Sequence, residues 1–131
     1  MNARRLGLAL AAALVAASCG GDEPARPGTL LVRLSGTDQT RAVKFRLVGP
    51  DMAVLEPGTG AVIAAQTAGT DTMLVASFAP VGSTLNGAAV AAISVPDVRA
   101  AQRYTATVLE VASPTYAVLI AARFTLSVVP Q

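Results

Sequence analysis

Apolar and polar residues alternate at every second position in three segments, 30–34, 43–47 and 124–129. A period of two is typical of a half-buried strand, with one face against a core and the other in solvent. Two further segments, 72–79 and 88–95, are apolar on both faces, which predicts central strands of a sheet.

The start of the segment 88–95 is rich in alanine, which also favours a helix. The pair Asn86–Gly87 before it is a strong hairpin signal, and Pro96 ends any helix soon after. A strand with a hairpin turn before it is therefore the prediction here.

Turn-forming residues separate the apolar segments at intervals of about 8 to 15 residues, a spacing typical of β-sandwiches. These turns are 35–38, 49–51, 56–60, 68–71, 86–87 and 113–114. The predicted fold is all-β: a single antiparallel β-sandwich of eight or nine short strands. At most one short helical turn is expected, near 96–102, where Pro96 suits its first position.

Strand pairing is constrained by charge. A simple hairpin of the first two strands with Leu34 opposite Val43 would bring Arg33 directly across from Lys44. Like charges in that position are unfavourable. Either the register is offset, or the first strand pairs elsewhere, for example with the last segment, 123–129.

The N-terminus has three parts: a short positive segment, 1–5, an apolar segment, 6–17, and the small residues Ala16, Ala17 and Ser18 before Cys19. This pattern predicts a secretory signal peptide. Its ending on cysteine resembles the lipobox of bacterial lipoproteins. The resemblance implies cleavage before Cys19, a diacylglyceryl group on its thiol and acylation of the new amine.

Two alternatives are an ordinary secretory signal, which needs no cysteine there, and an uncleaved anchor, which needs more than twelve apolar residues. Cys19 is the only cysteine, so it has no partner for an internal disulfide. Gly20 follows it, and in lipoproteins the absence of aspartate at that position implies the outer membrane. The expected location of the protein is therefore the cell envelope, where a lipid on Cys19 anchors it.

The chain is divided into a signal peptide at 1–18, a lipidated cysteine and flexible tether at 19–28, and a β-sandwich domain at 29–131. Glycine, proline and charge dominate the tether. Removing Arg4 and Arg5 with the signal leaves 10 − 2 = 8 basic residues against 8 acidic ones. This balance leaves no basic surface of the kind that predicts a nucleic-acid partner.

The segment after Pro96 has a local family likeness. A turn with proline, then Tyr104 and an apolar alternation to Ala112, resembles the entry to the F strand of fibronectin type III and related immunoglobulin-like domains. That likeness implies a tyrosine corner, in which the Tyr104 hydroxyl bonds the backbone of the preceding corner. Without it, Tyr104 is an amphipathic residue at a strand end. The strand number and turns are also similar to cohesin-like sandwiches, which bind dockerin partners on bacterial surfaces.

Catalytic residue types are scarce. The chain has no histidine, its lone cysteine is assigned to lipid, and its lone lysine, Lys44, lies at an outward strand position. Glu110 lies within a strand and is expected to point outward or to pair with an arginine such as Arg123 or Arg103. The other acids considered are in turns: Asp38, Asp51, Glu56, Asp71 and Asp97.

Turn carboxylates can converge as a glycosidase-like pair or as a calcium site, but their spacing supports neither. We therefore expect no metal, no cofactor and no enzymatic activity. The predicted function is a lipid-anchored envelope module that binds a protein or a glycan. An envelope hydrolase using loop carboxylates is the alternative, and an assembly element without a specific partner is a third possibility.

Overall fold

The computed structural model describes residues 23–55 and 62–131. The predicted signal peptide, Cys19 and Glu56 lie outside the described residues. Nine strands form within them: β1 (Gly28–Gly36), β2 (Ala42–Val48), β3 (Ala53–Leu55), β4 (Val62–Gly69), β5 (Thr72–Phe78), β6 (Ala89–Val95), β7 (Thr105–Ala112), β8 (Val118–Leu119) and β9 (Phe124–Pro130).

The strands form two antiparallel sheets that pack as a β-sandwich. One sheet has four strands in the order β3-β6-β1-β9, and the other has five in the order β4-β5-β2-β7-β8. The all-β prediction and its strand number are confirmed. Both segments predicted as central strands, now β5 and β6, have a hydrogen-bonded neighbour on each side.

Pairing of the first strand with the last is also confirmed. Strand β1 pairs with β9 along its length, and Arg33 lies opposite Ser127 on one side and Ala89 on the other. Lys44 lies opposite Ala76 and Glu110, so the unfavourable contact of two cations is avoided.

The core lies between the inward faces of the two sheets. Leu30, Val32 and Leu34 of β1 are fully buried against the sheet that carries Phe45 and Leu47 of β2. Arg33 and Arg46, which lie between them, face out as the period-two pattern requires, and Leu31 is half-buried. Most of the buried side chains are medium-sized aliphatic ones, and Phe45, Tyr104 and Phe124 add three aromatic rings to the core.

The predicted hairpin at Asn86–Gly87 is wrong. Strands β5 and β6 belong to different sheets, so the segment between them crosses the sandwich. Gly87 does adopt a positive φ, as an Asn-Gly turn requires. The Asn86 side chain, however, forms hydrogen bonds with Asp38 and Thr40 in the loop between β1 and β2, so this turn holds two loops together.

The predicted helical turn forms as a 3-10 helix at Val98–Arg103, so Pro96 lies before the helix and is not its first residue. Asp97 caps the helix, and its side chain accepts a hydrogen bond from the backbone N–H of Arg99. A second 3-10 turn among the described residues, Ala121–Arg123, leads into β9, which is one more helical turn than the sequence predicted. Within 23–55 and 62–131, no helix is long and apolar enough to cross a membrane.

Strand direction gives the sandwich two distinct ends. The attachment end contains the start of β1 at Gly28, the end of β2 and the 3-10 helix Val98–Arg103. The distal end contains the end of β1, the end of β5 and the start of β4. Any anchor before residue 23 therefore joins the domain at the attachment end.

Candidate binding surface at the distal end

Large apolar side chains are exposed mainly at the distal end. Of the seven such side chains in the described part of the chain, only Val48, 37% exposed, lies at the attachment end. The other six, which we call the distal surface, are Val62, Phe78, Val81, Tyr116, Val118 and Ile120. Such clustering on a small domain is typical of an interaction site.

Part of the distal surface is a straight row across the five-stranded sheet. Val62 lies opposite Phe78, Phe78 opposite Ala42, Ala42 opposite Ala112, and Ala112 opposite Val118. Residues directly opposite in a sheet share a face, so all five point away from the core. This places one apolar row along the rim of the outer face.

A shallow concavity of about 260 Å³ lies beside this row. Its lining includes Phe78 and Val118 and the opposite charges of Lys44 and Glu110, which face each other across β2 and β7. The sequence predicted that Glu110 points outward or pairs with an arginine. Glu110 is exposed, and the charged residue opposite it is Lys44 and not an arginine. The concavity thus combines an apolar wall with one charge of each sign.

The loops beneath the distal surface are held together by side-chain hydrogen bonds. The Asn86 side chain donates to the Asp38 carbonyl at 2.6 Å and accepts from the Thr40 N–H at 2.7 Å. Thr40 is fully buried. Polar contacts of this kind fix the loops, so the distal surface rests on an ordered support.

An aromatic contact adds to this end. The Arg41 guanidinium lies 5.2 Å from the centre of the Tyr116 ring, within the range of a cation–π interaction. Tyr116 is 62% exposed, so most of its ring stays accessible. The arginine orients the ring without covering it.

Tyr104 lies at the attachment end and is buried. Its hydroxyl donates to the Pro50 carbonyl at 2.7 Å. The family likeness implied a bond to the corner just before Tyr104, whereas the acceptor is 54 residues earlier, in the turn between β2 and β3. Burial raises the pKa of Tyr104, so the hydroxyl stays protonated and keeps donating.

Gly49 explains how the ring reaches that turn. A Cβ at this position would lie 2.1 Å from Cδ1 of the Tyr104 ring, so the ring packs directly on glycine backbone. The tyrosine therefore joins the strand β7 to the β2–β3 turn by packing and by its hydrogen bond.

Removing the Tyr104 hydroxyl should lower the free energy of unfolding by about 1–2 kcal/mol, because the Pro50 carbonyl loses its donor. The variant Tyr104→Phe tests this by urea unfolding. Tyr116→Phe is the matched control, with an expected change near zero since that ring is exposed. Equal effects of the two variants would contradict a structural role for Tyr104.

The segment predicted as a flexible tether is held at its described end. The Arg99 guanidinium donates to a Glu23 carboxylate oxygen at 2.7 Å and to the Pro24 carbonyl at 2.8 Å. Asp97 holds the same guanidinium at 3.1 Å, and that hydrogen bond lowers the pKa of Asp97. The chain therefore enters the sandwich along the 3-10 helix, with residues 23 and 24 bonded to Arg99.

The turn carboxylates are spread over both ends. Asp38 lies 3.7 Å from Arg123 at the distal end, and Asp97 holds Arg99 at the attachment end. Asp51 and Asp71 line one open concavity of about 200 Å³ at the attachment end, both with positive φ. Among the described residues, no group of three or more histidine, cysteine, aspartate or glutamate side chains is arranged to hold a metal.

Comparison of the chain with protein-family models, with curated proteins and with solved structures finds no match. The distal surface was not among the sequence-based candidates. Its members come from three separate segments, 62, 78–81 and 116–120, which reach the same end of the sandwich only through strand pairing and loop placement. The apolar ends of β4, β5 and β8 were the only local signal.

Proposed function

We propose that this chain is a lipid-anchored protein of the bacterial cell envelope whose β-sandwich binds another macromolecule without catalysing a reaction. The anchor is Cys19, acylated after removal of residues 1–18, with the outer membrane as the favoured location. The lipobox-like N-terminus and the lack of histidine support this proposal.

One observation carries the binding role: exposed apolar side chains gather at the end of the domain farthest from the chain's entry at Gly28. An anchor at the attachment end leaves the distal surface clear of the anchoring residues. Aromatic side chains are enriched at the centre of protein interfaces and polar groups lie at the rim, which suits an apolar row with Lys44 and Glu110 beside it. A protein partner therefore fits better than a glycan.

Replacing Val118 by aspartate should weaken partner binding about tenfold or more, because a buried valine contributes about 1.5–3 kcal/mol. Val118 is 80% exposed, so the fold should tolerate the change. The full chain, tagged at its C-terminus, is crosslinked in cells of the producing organism, and the adducts are quantified.

Val48→Asp is the matched control, since Val48 is an exposed valine on the outer face at the other end. We expect one adduct that Val118→Asp abolishes and Val48→Asp preserves. No adduct, or adducts equally sensitive to both variants, would contradict a distal binding surface.

A hydrolase remains the second candidate because Asp51 and Asp71 share a concavity. Both residues are exposed in an open site, where a carboxyl group has little of the desolvation that acid catalysis uses. Hydrolysis of envelope glycans by the wild type that is lost in both Asp51→Asn and Asp71→Asn would favour this candidate over the binding module.

A further inference from the structure

Strand β4 is exposed on both faces and along one edge. It is the end strand of the five-stranded sheet, and within the described residues it is hydrogen-bonded only to β5. Seven of its eight residues are exposed, and only Ile63 packs against the core. The strand therefore buries little of its own surface.

Its sequence carries neither charge nor proline to protect the exposed edge, and the bulge in β4 lies near its end, between Thr67 and Gly69. The eight residues, VIAAQTAG, include no charged residue and no proline. Proteins commonly place lysine, proline or a very short strand at an edge to prevent pairing with other chains. The other sheet ends follow that rule better: β3 has three residues, β8 has two, and β9 ends at Pro130.

We propose that β4 pairs antiparallel with β4 of a second copy of this chain, across a two-fold axis perpendicular to the five-stranded sheet. The two sheets then form one continuous sheet of ten strands. This inference rests neither on the lipid anchor nor on the distal binding role, although β4 shares Val62 with the distal surface.

The strand is suited to itself as a partner. With Ala65 on the axis, Ala64 lies opposite Gln66 and Ile63 opposite Thr67, and no register of an uncharged strand against itself opposes like charges. Small side chains near the centre allow close approach, while main-chain hydrogen bonds supply the pairing. Two-fold contacts of one surface with itself are also the commonest arrangement of protein dimers.

The pairing has a consequence for orientation. The two copies run in opposite directions, so their attachment ends lie at opposite ends of the ten-stranded sheet.

Charge at the centre of β4 tests the proposal. Two full-length copies with different tags are produced together in the native host, and the amount of one tag that co-purifies with the other is measured. Ala65→Lys in both copies should reduce co-purification roughly five-fold or more, because two ammonium groups then meet at the axis. Ala65→Glu in both copies should have the same effect.

A copy with Ala65→Lys and a copy with Ala65→Glu should co-purify at least as well as the wild type, which a folding defect cannot explain. Thr125→Lys, at an exposed position of β9 opposite Ser35, serves as the control and should change nothing. Wild-type copies that do not co-purify would overturn the proposal. The proposal would also be overturned if the mixed pair co-purified no better than the two like-charged pairs, or if a crosslinker placed at residue 65 captured a different protein.

Discussion

Replacing Phe45 by alanine should lower the free energy of unfolding by about 3–5 kcal/mol. Phe45 is fully buried in the middle of β2, and β2 is itself the middle strand of its sheet. With only five aromatic residues in the chain, few neighbours are large enough to fill the space. Urea unfolding followed by circular dichroism measures the change.

Val48→Ala is the control for that experiment, because it truncates a partly exposed side chain of the same strand. Its effect should stay within about 1 kcal/mol. A loss of stability in Phe45→Ala no larger than in Val48→Ala would mean that the inward face of β2 is not the core of the sandwich.

Replacing Cys19 by alanine should abolish the processed, membrane-bound form of the protein. In the proposal the thiol carries the diacylglyceryl group, and each buried CH₂ contributes about 0.8 kcal/mol to membrane binding. Without the thiol, the chain should be recovered uncleaved or in a soluble form. Membrane fractionation and gel mobility give both readouts.

Ser18→Ala is the matched control, because it keeps the cysteine and a small residue before it. It should be processed and membrane-bound like the wild type. A processed Cys19→Ala protein that still fractionates with membranes would count against lipidation at this residue.

Local patterns predicted the strands that carry the core. The alternation at 30–34 and 43–47 became the fully buried inner faces of β1 and β2, since a period of two commits each residue to one face. Charge repulsion between Arg33 and Lys44 was enough to exclude a simple hairpin and to suggest the pairing of β1 with β9.

Features that depend on the path of the chain between sheets were not predictable in this way. Asn86–Gly87 has the chemistry of a hairpin turn, yet sheet assignment makes it part of a crossing loop. The acceptor for Tyr104 lies in a distant turn for the same reason. The distal surface and the exposed edge of β4 likewise arise only when the strands are placed in order.

The anchor assignment is tested most directly by the intact mass of the protein isolated from cells of the producing organism. Membrane fractions should yield a chain that begins at Cys19 and carries two or three fatty acyl groups on that residue. A full-length chain in the cytosol, beginning at Met1 and with a Cys19 thiol free to react with an alkylating reagent, would contradict it.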